Sequence, residues 1–202
     1  MNVKTLFAVA VILGLAVSTV LAGGPLAIGA SIPMADVKMK NIDGKELAIA
    51  DVKKPGGTLV VFTCNHCPFA KAWETRIVEL GNTYIAKGIG VIAVNANDPK
   101  VADQDSFEVM QQRAKERGMN YPYVVDATSN LARAFGATRT PEAFLFDKDG
   151  KLVYHGTIDD NAEEPAKVET PYLKNALDAV VAGAKVPVAE TKSIGCGIKF
   201  RS

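Results

Sequence analysis

The chain has 202 residues, 48% of them hydrophobic and 22% charged, a composition that suits one globular domain with a full core. Formal net charge is +1, and with Lys4 set aside the basic and acidic residues are level at 22 each. That balance supplies no attraction for nucleic acid or for an anionic membrane surface, so neither is expected as a partner.

The N-terminus has the layout of a secretory signal. Lys4 precedes an almost wholly apolar run from Leu6 to Val17, and Val20-Leu21-Ala22 then stands before Gly23-Gly24. A positive start, an apolar middle and a small-residue end place a cleavage after Ala22. Residues 1–22 are read as a signal peptide and 23–202 as the mature domain, periplasmic or extracellular and free of the membrane once the signal is removed. An uncleaved anchor is the alternative; the apolar stretch from Leu6 to Ala22 only reaches the lower limit for spanning a bilayer. No cysteine lies near the cut, which excludes a lipidated N-terminal cysteine.

Val37 to Ile49 alternates around Asp43-Gly44 and predicts an N-terminal β-hairpin. After the Pro55-Gly56-Gly57 loop, Thr58 to Thr63 is an unbroken β-branched and aromatic run, as in a strand buried on both faces. Helical spacing runs from Pro68 to Lys87 and ends at Gly88. Ile89 to Asn95 follows as a second buried strand, parallel to the first. Ser106 to Arg117 reads as a polar helix stopped by Gly118, Tyr123 to Val125 as a short strand, and Ser129 as the N-cap of a helix ending at Phe135. Ala143–Phe146 and Leu152–His155 are strands joined by an Asp-Lys-Asp-Gly turn. A last helix starts with Pro171 in its first position and runs to about Ala182. The charge pairs Lys53-Lys54 and Asp159-Asp160 read as solvated surface, and His155 with Asp159-Asp160 as a surface loop. Strands alternating with helices, then a hairpin and a helix, predict an α/β domain with a central mixed sheet flanked by helices.

There are three cysteines, Cys64, Cys67 and Cys196. In an exported chain this number suggests one functional pair and one extra thiol rather than a disulfide scaffold. Cys64-Asn65-His66-Cys67 lies between a buried strand and a helix, the setting in which Cys-x-x-Cys is a redox motif. The first cysteine is expected at the helix N-terminus, where amide N–H groups and the helix dipole favour a thiolate. The second is expected one turn further in, within reach of a mixed disulfide. A protonated His66 would put a positive charge beside Cys64 and lower its pKa further. A low thiol pKa stabilises the reduced form and makes the pair a better oxidant.

The segments TLVVFTCNHCPFAKAW, TRTPEAFLFDKDGKLVYHG and GCGIKF resemble the thioredoxin-like proteins of the AhpC/TSA, or peroxiredoxin-like, group, over about Gly29 to Phe200. The resemblance implies a thioredoxin-like fold with Cys64 and Cys67 at its active site and Pro141, after Thr140, as a cis-proline facing them. Thr140 and Pro141 would then present backbone for pairing with an extended substrate. The chain departs from the group's patterns in three places. The strand before the motif has no carboxylate, where thioredoxins carry a buried aspartate. Val61 stands where peroxiredoxins carry a threonine, and Pro141 where they carry an arginine. Thiol–disulfide exchange is therefore expected ahead of peroxide reduction, with a protein or small-molecule thiol or disulfide as substrate and a redox partner protein. No cofactor is implied. For Cys196 three roles stay open: a third thiol in the exchange, a ligand with Cys64 and Cys67 in a copper or zinc site, or an inert buried side chain.

Overall fold

The computed structural model describes residues 24–202, so the segment read as a signal lies outside the described residues. The chain runs β1 (Met39–Asn41), β2 (Glu46–Leu47), α1 (Ile49–Val52), β3 (Gly57–Phe62), α2 (Pro68–Ala86), β4 (Ile89–Asn95), α3 (Phe107–Arg117), β5 (Tyr123–Val125), α4 (Asn130–Phe135), β6 (Arg139–Thr140), β7 (Glu142–Phe146), β8 (Leu152–Gly156), α5 (Tyr172–Val181) and β9 (Cys196–Gly197). Seven strands form one mixed sheet in the order β2-β1-β5-β4-β3-β7-β8, and β6 pairs with β9 in a separate ribbon. β3, β4 and β5 are parallel neighbours; β7 lies antiparallel to β3 and β8 antiparallel to β7.

The unbroken apolar run of β3 has its reason in this position. Leu59 and Val61 face one hydrophobic cluster with Trp73, Ile77 and Tyr84 of α2, Met110 of α3 and Leu173 and Leu177 of α5. Val60 and Phe62 face a second cluster with Ile49 of α1 and Leu131 and Phe135 of α4. The two-residue alternation of side chains thus fills two cores, one on each face of the sheet. On the second face Phe62, Phe135 and Phe144 meet edge to face at centroid separations of 5.2 to 5.7 Å, a preferred geometry for aromatic rings. Gly88, with φ of 86°, closes α2 in the left-handed region, as its place after the helical pattern predicted. Among the described residues no helix is long and apolar enough to cross a membrane.

The hairpin at the N-terminus, the buried strands, the helices and the mixed sheet stand where the sequence placed them, with local corrections. The hairpin ends at Leu47, and Ile49–Val52 form a short helix in which Asp51 accepts from the Ala48 amide at 2.7 Å. Ser129 is not the working cap of α4. Its φ is 56° and its hydroxyl donates to the Ala96 carbonyl at 2.7 Å, while Asp126 accepts from the Ala132 amide at 2.9 Å. Pro171 stands just before α5 rather than inside it. His155 and Asp159 are buried rather than in a surface loop. Asp159 accepts from the indole N–H of Trp73 at 2.7 Å and pairs with Arg76. These partners come from α2, so no local pattern announced them.

Candidate redox site at the end of the central strand

After Phe62 the chain turns through residues 63–67 and enters α2 at Pro68. Proline has no N–H to give and is tolerated in the first turn of a helix, so the helix begins there and Cys67 is its N-cap residue. The expected placement shifts by one turn: Cys67 holds the helix N-terminus and Cys64 precedes it. Both are buried, Cys64 at 5% exposure and Cys67 at 0%, and all three cysteines are free thiols.

The Thr140–Pro141 peptide is cis and meets the pair as the resemblance implied. Cys64 Sγ lies 3.1 Å from Thr140 Oγ1, and Cys67 Sγ donates to the Thr140 carbonyl at 3.2 Å. From the other side β9 lies antiparallel to β6 with Cys196 opposite Thr140. Partly buried Cys196 packs on the cluster of Cys64, Cys67 and Ala70. The structure therefore brings together every residue the sequence singled out for the site.

It also adds one that sequence reasoning missed. Asp105, with a fully buried side chain, accepts from His66 Nδ1 at 2.6 Å, the Asn65 amide at 2.5 Å and Asn97 Nδ2 at 2.7 Å. Cys64 Sγ, a His66 ring nitrogen and an Asp105 carboxylate oxygen lie within 4.8 Å of one another. Asn65 donates to the Gln104 carbonyl at 2.9 Å and accepts from the Tyr123 hydroxyl at 3.0 Å. The loop between the cysteines is thus clamped to a segment about forty residues away and to the sheet. β3 carries no carboxylate beside the motif; the buried carboxylate there comes from the turn before α3. Asp103-Gln104-Asp105 reads as ordinary polar loop, and nothing in the sequence set Asp105 apart from Asp103.

The two active-site thiols divide one proton unequally. Cys67 is drawn down to about 4, first by the Cys64 S–H, then by the Cys196 thiol and by the amides of Ala70 and Cys196. Cys64 is pushed far up, first by its bond to Cys67, then by burial and the Asp105 carboxylate. The pair therefore loses a first proton readily and holds the second. A cavity lined by Cys64, Asn65, Tyr121 and Tyr123 measures about 20 Å³, room for about one water. That cavity is too small to enclose a substrate beside the sulfurs.

A parallel strand–helix–strand core, a thiol pair leading into the helix and a cis-proline against that pair define a thioredoxin-like domain. Within that class the chain belongs to the AhpC/TSA family, whose model matches residues 28–155. The thiol-disulfide oxidoreductase ResA of Geobacillus thermodenitrificans is 26% identical over 127 residues, 63% of this chain and 67% of that protein. The ResA of Halalkalibacterium halodurans is 26% identical over 116 residues, 57% and 61%. The chain thus spans between three fifths and two thirds of the length of these relatives. Among solved structures, an uncharacterised conserved protein of Geobacillus kaustophilus is 37% identical with a TM-score of 0.81, covering 87% of this chain and 93% of that one. A hypothetical protein of Sinorhizobium meliloti 1021 is 32% identical, also at 0.81, covering 89% and 97%. A thioredoxin-like protein solved in its oxidised form shares the fold at 19% identity, with a TM-score of 0.64 over 79% of this chain and 99% of that one.

Proposed function

We propose that residues 23–202 are an exported thiol–disulfide oxidoreductase whose Cys64 and Cys67 cycle between dithiol and disulfide. The observation that carries the reading is the meeting of two buried thiols at the end of β3 with the cis Thr140–Pro141 peptide, and the His66–Asp105 pair beside them. The name borne by the ResA relatives supports the same chemistry. The coupled pair loses one proton, and with the remaining proton on Cys67 the attacking thiolate is Cys64, the more accessible of the two. Cys64 joins a substrate sulfur, and Cys67 then attacks Cys64, releasing the substrate thiol and closing the disulfide. His66, oriented by Asp105, moves the proton at Cys64. Thr140 and Pro141 hold both sulfurs and shape the surface a substrate meets. Substrates and redox partner are thiols and disulfides as a class. Export rests on the signal pattern of residues 1–22. Peroxide reduction is not proposed, because Val61 and Pro141 offer no donor where that chemistry needs one.

Replacing Cys64 with serine in a Cys196→Ser background should abolish exchange with a glutathione-linked peptide, and the Cys67→Ser variant should accumulate the mixed disulfide on Cys64. Exchange at the original rate in that doubly substituted protein would remove the reading. A second reading draws on the same cluster: the Cys64 thiolate, the His66 imidazole and the Asp105 carboxylate converge as a donor set, with Cys67 and Cys196 packed beside Cys64, and soft thiolates select copper(I) or zinc. Retention of about one metal ion by the reduced protein through dialysis would favour it; a metal-free reduced protein would eliminate it.

A further inference from the structure

We infer that Cys196 is a third redox-active cysteine, which takes the disulfide from Cys64–Cys67 by forming a Cys67–Cys196 bond and presents it to dithiol partners at the surface. This rests on the proposed dithiol chemistry of Cys64 and Cys67 and extends it to a segment beyond the family match, which ends at residue 155.

The C-terminal segment is fastened over the site at several points. Ser193 donates to Glu142 at 2.9 Å and the Ile198 amide to the Thr138 carbonyl at 3.0 Å. The Lys199 amide donates to Asn97 at 2.7 Å and the Arg201 amide to Ser129 at 2.9 Å. Asn97 is also a partner of Asp105, so the strap and the thiol loop hang on one network. Gly195 makes the close approach possible: a Cβ there would stand 2.1 Å from the Thr140 carbonyl oxygen. With β9 in place the β6 edge is already paired, so an incoming extended chain cannot add a strand there. Of the three cysteines Cys196 alone is partly exposed, and it packs on the cluster that contains fully buried Cys67. An external thiol therefore meets Cys196 before it meets the pair.

The exchange balances. Starting from the Cys64–Cys67 disulfide, the Cys196 thiol gives its proton to solvent and attacks Cys67 Sγ. The Cys67–Cys196 bond forms, the Cys64–Cys67 bond breaks, and Cys64 leaves with the electron pair and takes a proton by way of His66. No net oxidation has occurred. A thiolate of a dithiol substrate then attacks Cys196 Sγ and releases Cys67 as the thiolate its surroundings favour. The substrate's second thiolate attacks the substrate sulfur of that mixed disulfide, forms the substrate disulfide and frees Cys196, which takes a proton. Two electrons have passed from substrate to protein, and each step is reversible. Burial and the Cys67 charge raise Cys196 to about 11 in the reduced protein; when Cys67 is held in a disulfide that charge is gone.

The test is disulfide mapping of the full mature chain. The Cys64→Ser protein is equilibrated with reduced and oxidised glutathione, quenched in acid, digested without reductant and its linked peptides identified by mass. A reversible intramolecular Cys67–Cys196 link is expected, and it should be lost when Gly195→Val is added to push β9 off β6. Recovery of Cys67 and Cys196 only as free thiols or glutathione adducts would overturn the inference. Should Cys64→Ser fold poorly, the oxidised wild-type protein decides by alkylation: a population with Cys64 alkylated and Cys67 linked to Cys196 is expected, and its complete absence is the negative result. A Cys64–Cys67 midpoint in the wild-type protein, with no Cys67–Cys196 link in Cys64→Ser, would leave the proposed function standing without this step. A Cys67–Cys196 link with no Cys64–Cys67 midpoint would do the reverse.

Discussion

Two histidine–carboxylate pairs flank the Thr140–Pro141 segment, and they differ in what they face. His66–Asp105 is open on the histidine side, with 24% of that side chain exposed, and lies against Cys64. His155–Glu142 is closed, at 7% and 2%, with the histidine ring stacked on Phe144. Glu142 accepts from the Thr138 and Arg139 amides at 2.8 and 2.9 Å, from His155 at 2.7 Å and from Ser193 at 2.9 Å. It therefore ties β6, β8 and the C-terminal strap together and touches no sulfur atom in any of these bonds. Under the proposed function the first pair serves reaction, because a thiol stands beside it, and the second serves architecture alone.

That contrast can be broken from either side. The largest effect on stability is expected at the closed pair. Glu142→Gln puts an amide where donors converge and leaves buried partners unsatisfied, at a cost of about 3–5 kcal/mol in chemical denaturation. Burial alone would raise the Glu142 carboxyl, but the His155, Arg139 and Thr138 donors outweigh it and hold it below its ordinary 4.5. Its stabilising contribution is then complete above about 4.5 and fades as pH falls through the folded-state value. Wild type should lose stability in that acid range more steeply than Glu142→Gln, while the pH profile of exchange stays the same in both. A smaller cost, about 2–3 kcal/mol, is expected for Asp105→Asn, which loses charged hydrogen bonds to the thiol loop. Here the exchange rate should fall by at least about tenfold, part of the 10²–10⁴-fold that positioned acid–base groups contribute, and its pH profile should shift. An unchanged profile would make Asp105 merely structural, like Glu142. The smallest effect is expected away from both pairs: Asp126→Ala removes the cap of α4, costs about 1 kcal/mol and leaves exchange untouched.

The parts of this design that were legible in the sequence are those written in local periods. β3 and β4 show themselves as apolar runs because both faces of the sheet are covered, and α2 shows itself between proline and glycine. The Cys-x-x-Cys pair is visible for the same reason, since its strand and helix are adjacent in sequence. Asp105, Glu142 and Asp159 were not visible as buried groups, because His66, His155 and Arg76, the side chains they pair with, lie from thirteen to over eighty residues away. β9 escaped notice because two residues between glycines carry no strand period, and only the shape of the Thr140 backbone gives them a partner. The helix start at Pro68 was legible in the spacing from Pro68 to Lys87, and it puts Cys67 rather than Cys64 at the helix N-terminus.

The most direct measurement is the reduction potential of the Cys64–Cys67 pair, obtained by equilibrating the mature protein with glutathione buffers. A thiol pair that gives up its first proton readily has a stabilised reduced form. The account therefore predicts one reversible two-electron midpoint, more oxidising than the about −270 mV of a reducing thioredoxin, and the loss of any midpoint when Cys64→Ser is made in a Cys196→Ser background. Two thiols with no reversible midpoint, or a midpoint that survives both substitutions unchanged, would contradict it.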